Sequence, residues 1–243
     1  MNISKNQLKL ITSLSYKKYR QAEKLFIAEG IKVVEEFLNS SIMLETLFCT
    51  PDFNTTISSD KIVRISEDDL KKISQLKTPN KVLGVFKIPE EKKLLNKGLI
   101  VALDTINDPG NLGTIIRLCD WFGVTELICS LNTVDCYHPK VVQASMGSLS
   151  RVAIHYVDLQ TYLSTATLPT FIADMNGINV YKNSIPKEAI LILGNEANGV
   201  SDDLKKLVSS KISIPRFGEI QETESLNVAT ATAILLSEFK RSC

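Results

Sequence analysis

Short, mostly apolar runs alternate with polar loops and helical stretches along most of this chain. Leu99–Leu103, Glu126–Cys129, Thr170–Ala173 and Ala189–Leu193 are runs of four or five residues rich in Val, Ile and Leu. Such runs suit strands buried on both faces of a parallel sheet. Ile212-Ser213-Ile214-Pro215 reads as one more short strand. Between the strands lie helix patterns with end signals. Thr114–Phe122 is followed by Gly123 in the place of a C-terminal cap. Ser201 precedes Asp202 and Asp203, an N-cap with carboxylates in the first turn. From Ser225 the run through Ala229, Ala231, Ala233 and Leu235-Leu236 to Lys240-Arg241 reads as a closing helix by its length and alanine content. Strand–loop–helix units of this kind place their loops at one end of a parallel sheet, the usual position of a ligand site in an open α/β fold.

The first 92 residues have a different rhythm. Ile31–Leu38 is an amphipathic helix with Ile31, Val34, Phe37 and Leu38 on its apolar side. Leu44–Cys49, Lys61–Ile65 and Val82–Phe86 are strands, and Ser66 with Asp69 three residues on opens a capped helix. Pro89–Lys97 is charged and poor in apolar residues, as a linker is. The pattern predicts two α/β domains, 1–92 and 98–243.

Composition narrows the class. The chain has 243 residues, 44% of them hydrophobic, enough for a packed core. No apolar run approaches the ~18 residues of a membrane span, and the N-terminus lacks the apolar stretch of a signal peptide, so a cytoplasmic protein is expected. Five cysteines without paired metal spacing read as reduced, mostly buried thiols. Net charge is +1, but residues 1–97 carry 17 Lys and Arg against 12 Asp and Glu, and residues 98–243 carry 11 against 15. Lys5, Lys9, Lys17, Lys18, Arg20 and Lys24 face one acid, Glu23, in the first 26 residues. A cluster of that kind is either a solvated helix face or a phosphate-contacting surface. The chain has no Gly-x-Ser-x-Gly elbow, no Gly-x-Gly-x-x-Gly and no P-loop, which argues against a hydrolase triad and against nicotinamide or nucleoside triphosphate enzymes. His138 and His155 have no motif around them and read as structural or surface residues.

Three ordered motifs identify the chemistry. Asn111-Leu112-Gly113-Thr114-Ile115-Ile116-Arg117, Leu193-Gly194-Asn195-Glu196-Ala197-Asn198-Gly199-Val200-Ser201, and Ile214-Pro215 with Ser225-Leu226-Asn227-Val228-Ala229 resemble the motifs of the SpoU (TrmH) RNA ribose 2′-O-methyltransferases. Phe26–Gly30 and Asn80–Phe86 resemble the L30e-like substrate-binding domain that often precedes that catalytic domain. The resemblance implies an α/β knot, a deep trefoil in a mostly parallel sheet flanked by helices, behind a smaller N-terminal L30e-like α/β domain. It implies a homodimer joined through the knot domain, S-adenosylmethionine as donor with S-adenosylhomocysteine as product, no metal, and structured RNA rather than DNA as substrate, rRNA before tRNA. It assigns Asn111, Arg117, Glu196, Ser225 and Asn227 to catalysis, and Leu193, Gly194, Asn195, Ile214, Pro215 and Leu226 to the cofactor. Lys17, Lys18, Arg20 and Arg117 are the expected RNA contacts. An arginine is proposed as the base in this family, but a guanidinium rarely yields its proton; a bidentate grip on phosphate is the role its chemistry favours.

Two departures from the family pattern stand out. Gln143 occupies a position where the family commonly has Arg, and six residues, Glu219 to Glu224, separate Gly218 from Ser225 where about three are usual. Two other classes remain open at this point: an RNA-binding protein that keeps the fold without activity, and an ordinary dinucleotide-binding enzyme.

Overall fold

A computed structural model describes residues 3–182, 184–195, 197–220, 222 and 225–241. It divides into two compact units, Met1–Glu91 with Asp135–Ser150, and Lys92–Val134 with Arg151–Cys243. The segment 135–150, which a boundary near residue 98 assigns to the second domain, therefore packs with the first.

The first unit opens with α1 (Lys5–Ser13), α2 (Lys17–Glu23), β1 (Leu25–Glu29), α3 (Ile31–Leu38) and β2 (Leu44–Cys49), and continues with β3 (Ile62–Arg64), α4 (Glu67–Ile73) and β4 (Val82–Lys87). Its strands lie in the order β1-β4-β2-β3, antiparallel except for β2 beside β3. Ser4 caps α1 in a full capping box with Gln7, and Ser66 caps α4 by accepting from the Asp69 amide. One face of the sheet buries Leu25, Ile27, Phe48, Leu83 and Val85 against Ile11 and Leu14 of the first helical stretch and Leu70 and Ile73 of α4. Phe26, Phe37 and Phe86 form a second, aromatic cluster with centroid separations of 5.4–5.8 Å. Tyr137 joins it at 4.9 Å from Phe26, which ties segment 135–150 into this unit.

In the second unit β5 (Leu99–Asp104), α5 (Pro109–Trp121) and β6 (Glu126–Ser130) come first. The short helix α6 (Pro139–Ser145) lies in the segment that belongs to the first unit. Then follow β7 (Ala153–Val157), α7 (Leu159–Ser164), β8 (Thr170–Asn179), β9 (Ala189–Gly194), α8 (Asp202–Lys205), β10 (Ser210–Ser213) and α9 (Val228–Lys240). The strand order is β10-β8-β9-β5-β6-β7, and every pairing is parallel. Strands β5, β6 and β9 are buried almost throughout, β5 and β9 as their uninterrupted apolar runs require. Ile100, Ala102, Ile128, Ile172, Ile190 and Ile192 pack on Leu159 and Leu163 of α7 and Leu204 of α8. The chain proceeds outward from β5 to β7 and then returns to the other side, so β5 and β9 flank the point where strand order reverses. That point is where an open parallel sheet leaves a crevice.

Strand β8 is longer than the sequence suggests. Its register with β10 jumps from Ile172 opposite Lys211 to Ile178 opposite Ile212, so residues 173–177 bulge out of the ladder. Gly177 sits where a Cβ would lie 2.5 Å from the Ile212 main chain, so only glycine lets the strand return to β10 there. Asp174–Gly177 is thus a bulge within a strand.

Candidate functional site

The site is built at the ends of β5 and β9. The last residues of these strands, Asp104 and Gly194, are partners in the register, so the loops that follow start side by side. Asp104 is buried and holds both loops: its Oδ1 accepts from the Thr105 hydroxyl at 3.0 Å and its Oδ2 from the Ser201 amide at 2.8 Å. Thr105 itself adopts φ +58°, a left-handed conformation that a β-branched residue takes up at a cost of order 1–3 kcal/mol. Asn195 Nδ2 donates to the Thr105 carbonyl at 3.0 Å, and helps to hold it there.

After β9 the chain closes a tight turn. Asn195 and Gly199 exchange two main-chain bonds of 3.1 and 2.8 Å, and the Asn195 Oδ1 accepts from the Ala197 amide at 2.9 Å. Gly194 is required by this turn. A Cβ at that position would lie 2.1 Å from the Gly199 carbonyl carbon and 2.2 Å from the Val200 nitrogen. Its lack of a side chain serves the approach of its own backbone first. Glu196, the carboxylate expected in this turn, lies outside the described residues. Leu193 is buried in the strand, so only its backbone is available to a ligand.

The first motif begins in a helix, not a loop. Asp108 caps α5 by accepting from the Asn111 amide at 2.8 Å, and Pro109 occupies the first helical position. The helix therefore starts five residues before Thr114, where the apolar pattern begins, and Asn111 lies in its first turn. The last motif differs in the opposite sense. Its helix α9 begins at Val228, three residues after Ser225, with Asn227 as the cap. The Asn227 Oδ1 accepts from the amides of Ala229 and Thr230 at 3.0 and 3.2 Å, while its Nδ2 donates to Asn111 Oδ1 at 2.9 Å. One side chain thus closes the start of one helix and fixes it to the start of another, bringing residues 116 apart in sequence into contact.

Arg117 stands two turns further along α5, exposed, without a hydrogen bond or ion pair among the described residues. Thr114 and Trp121 share its side of the helix, and Trp121 is 83% exposed. Ser225 is exposed and makes no hydrogen bond among the described residues. Ile214 and Pro215 follow β10 half-buried, and Leu226 is exposed beside Asn227. Beyond them the loop carries Phe217, 84% exposed, with its ring 6.4 Å from that of Tyr181. Of the longer stretch before Ser225, Gln221, Thr223 and Glu224 lie outside the described residues. Asp174 in the β8 bulge is held below the usual carboxylate range, chiefly by the Asn176 amide and then by Lys211 at 3.4 Å.

The residues present fit an adenosyl cofactor. Backbone amides and carbonyls of Gly194, Asn195 and residues 197–199, and the part-exposed apolar side chains Ile214, Pro215 and Leu226, sit beyond the strand ends of one parallel sheet. Such a lining suits a largely uncharged adenosine with a few main-chain donors. Among the described residues, no group of three or more His, Cys, Asp and Glu is placed to hold a metal ion.

The expected RNA contacts divide. Lys17 and Lys18 are exposed on α2. Arg20 is 1% exposed and turned inward. Its Nε donates to Asp135 Oδ2 at 2.9 Å, its Nη2 to the same oxygen, and its Nη1 to the carbonyls of Leu14 and Ser15 at 2.8 and 2.9 Å. Four of the five N–H donors of the guanidinium are thereby used inside the first unit, so Arg20 has no surface role. Nothing near Arg20 in sequence announces this, because its carboxylate partner lies 115 residues away. Asp104 is likewise an anchor that sequence reading passes over. Its one signal is a charge at the end of an otherwise apolar strand.

Residues 98–237 match the model of the SpoU rRNA Methylase family, and residues 5–84 match an MRM3-like substrate binding domain. The 23S rRNA (guanosine(2553)-2′-O)-methyltransferase RlmP of Bacillus subtilis is 30% identical, over 96% of each chain. Mitochondrial rRNA methyltransferase 3 of Xenopus tropicalis is longer: the alignment, at 29% identity, spans 68% of this chain and 44% of that one. Among solved structures, a TrmH-family protein from Porphyromonas gingivalis superposes over the whole of both chains with a TM-score of 0.91 at 36% identity. An S-adenosylmethionine-bound rRNA methyltransferase from Sinorhizobium meliloti superposes with a TM-score of 0.86 at 27% identity, over 100% of this chain and 97% of the other.

Proposed function

The chain belongs to the SpoU rRNA methylase family, and from that premise we propose that it methylates a ribose 2′-hydroxyl of ribosomal RNA through the Asn111–Asn227 and Arg117 side of the β5–β9 crevice. It is an S-adenosylmethionine-dependent RNA 2′-O-ribose methyltransferase. The donor, when bound, supplies an electrophilic methyl group. The chain has to hold the donor, hold the ribose, and manage one proton.

The observation that carries the assignment is the Asn227–Asn111 bond beside the strand ends. It fixes the starts of α5 and α9 relative to each other, and with them Ser225 on one side and Arg117 on the other. Preorganisation of this kind is a large part of what a displacement needs, because near-attack geometry alone lowers the barrier by several kcal/mol. Arg117, without a partner among the described residues, grips a phosphate beside the target ribose as a planar two-pronged donor. Asn111, Glu196 and Ser225 complete the polar set around the hydroxyl. The turn at Gly194-Asn195, with Leu193, Ile214, Pro215 and Leu226, holds the donor. Lys17 and Lys18 add RNA contacts from the first unit.

The same reading includes a trefoil knot in the second unit, a homodimer through that unit and a cytoplasmic setting. Four buried free thiols, Cys49, Cys119, Cys129 and Cys136, are in keeping with a reducing compartment. Trp121 is the side chain on α5 that a dimer contact would cover. The preference for rRNA over tRNA rests on the names of the relatives. The test is a map of 2′-O-methyl sites in RNA from cells lacking the protein. One ribosomal site should lose its methyl group and regain it when purified protein and S-adenosylmethionine are added to that RNA. A missing methyl in tRNA with rRNA intact would overturn the choice of substrate. No missing site in either, with no transfer in vitro, would favour the inactive RNA-binding protein.

A further inference from the structure

Tyr16 and Tyr19 are 64% and 40% exposed at the corner between α1 and α2. Their rings meet edge to face at 6.4 Å and 71°. The Lys18 ammonium sits 4.7 Å above the centre of the Tyr19 ring. Neither hydroxyl makes a hydrogen bond among the described residues. In the same stretch of chain Lys5, Lys9, Lys17, Lys18 and Lys24 are all exposed, with Glu23 the one acid. The corner is also rigid. Arg20 binds the carbonyls of Leu14 and Ser15, the two residues just before Tyr16, and anchors them to Asp135. A guanidinium buried to hold a turn whose next residue is an exposed aromatic ring sets that ring in a fixed place.

We infer that Tyr16 and Tyr19 form a stacking platform for unpaired bases of the substrate RNA, with the surrounding lysines on the flanking phosphates. The inference rests on the reading that the chain acts on RNA and adds to it a recognition element for single-stranded nucleotides. Rings ringed by cations match what a single strand offers: a π-face on each base and a charge on each phosphate. A duplex keeps its bases stacked on one another and offers this corner only its phosphates. Tyrosine rings tolerate any base, so the platform selects unpaired structure and leaves sequence to the pairing of the RNA and to the active site.

The test uses the full-length protein and two probes, a short single-stranded RNA carrying 2-aminopurine and a blunt RNA duplex of equal length. Wild-type protein should quench the 2-aminopurine signal on binding. The pair Tyr16→Leu, Tyr19→Leu should lose at least ~5-fold in single-strand affinity and most of the quenching. The salt dependence of what binding remains, and the duplex affinity, should stay as in wild type. The pair Tyr16→Phe, Tyr19→Phe should behave as wild type. Lys17→Gln with Lys18→Gln should do the reverse and flatten the salt slope by ~0.7 for each phosphate that is no longer neutralised. Thermal unfolding of the tyrosine variants should match wild type, since both rings face water. Wild-type affinity and quenching in the leucine pair would overturn the platform while leaving the methyltransferase reading intact. Loss in the phenylalanine pair equal to that in the leucine pair would overturn it as well, since hydroxyl bonding would then be responsible. A wild-type protein that binds neither probe would sink the RNA reading itself, and the platform with it.

Discussion

The α1–α2 corner and the start of α5 each present an arginine on a helix, and the two are used in opposite ways. Arg20 stands among lysines on a basic helix and is buried, with four of its donors satisfied inside the first unit. Arg117 stands on a helix that is apolar on its other side and is exposed, without a partner among the described residues. From local sequence the ranking comes out reversed: Arg20 has the surroundings of a nucleic-acid contact, and Arg117 those of an isolated surface charge. What separates them is the supply of acceptors. At the corner, two helix-end carbonyls and a carboxylate converge where a planar fork can reach all three. At α5 the helix carbonyls are bonded internally and the guanidinium meets no acceptor among the described residues.

The contrast breaks first at Arg20. Arg20→Leu should destabilise the first unit by about 3–5 kcal/mol, because Asp135 and two carbonyls are left in a poorly hydrated place without a donor. Urea denaturation should show it, and the double variant Arg20→Leu, Asp135→Leu should recover much of the loss. Unchanged stability with weakened RNA binding would return Arg20 to the surface. The next effect is at Arg117. Arg117→Lys keeps the charge and loses the fork, so S-adenosylhomocysteine affinity should stay within a few-fold while methyl transfer falls at least ~100-fold, about 2.7 kcal/mol in barrier. Raising the pH should not restore it if Arg117 positions phosphate. Partial restoration in the lysine variant would point to proton transfer, since an amine deprotonates within reach and a guanidinium does not.

Much of this architecture could be read along the chain because it is locally encoded. The buried strands β5 and β9 follow from uninterrupted apolar runs, and the Ser66 cap from short-range chemistry; Ser201 stands at the N-cap position of α8 without a side-chain cap bond. The errors arise where a local signal is read too late or a distant partner decides. Asp108-Pro109 is a cap followed by a first-turn proline, and it moves the start of α5 ahead of the apolar pattern. Asn227 is the cap of α9 because Asn111, from another part of the chain, helps to orient it. The apolar run of β8 ends at Ala173, and the return of the strand to β10 at Ile178 has no local signal. Gly194 is expected at the cofactor, yet the space its missing side chain leaves is occupied by the chain's own turn. Glu196, which would complete the polar set, lies outside the described residues.

The smallest expected effect is one of pH, and it sharpens the contrast by testing how tightly the Arg20 region is built. His138 caps α6, its Nδ1 accepting from the Lys140 amide at 3.2 Å. Burial, then the positive charges of Arg20 and Lys140, lower its pKa, with Asp135 pulling the other way. A folded pKa below the unfolded value of about 6.5 means that the stability this group contributes is present above that value. It is lost as the pH falls through the folded pKa, when the ring nitrogen must take up a proton and can no longer accept. The melting temperature should therefore fall on acidification from pH 7.5 towards 5. His138→Asn, which keeps a cap acceptor that does not titrate, should flatten that fall. An identical pH profile in the variant would place the acid sensitivity elsewhere.

The attachment of residues 135–150 to the first unit also sets a schedule. A ribosome adds roughly 5–20 residues each second. Asp135 is made 115 residues after Arg20, so the arginine waits about 6–23 s at those rates for the carboxylate that holds it. Until then the corner has a cation without its counterion, and the aromatic cluster of the first unit lacks Tyr137. The amino-terminal module consequently cannot finish folding as it leaves the ribosome; it must hold an incomplete form while β5, α5 and β6 are made. As a unit of inheritance it is not a detachable cassette either. A gene fusion that moved residues 1–91 to another enzyme would leave behind the sixteen residues that complete it.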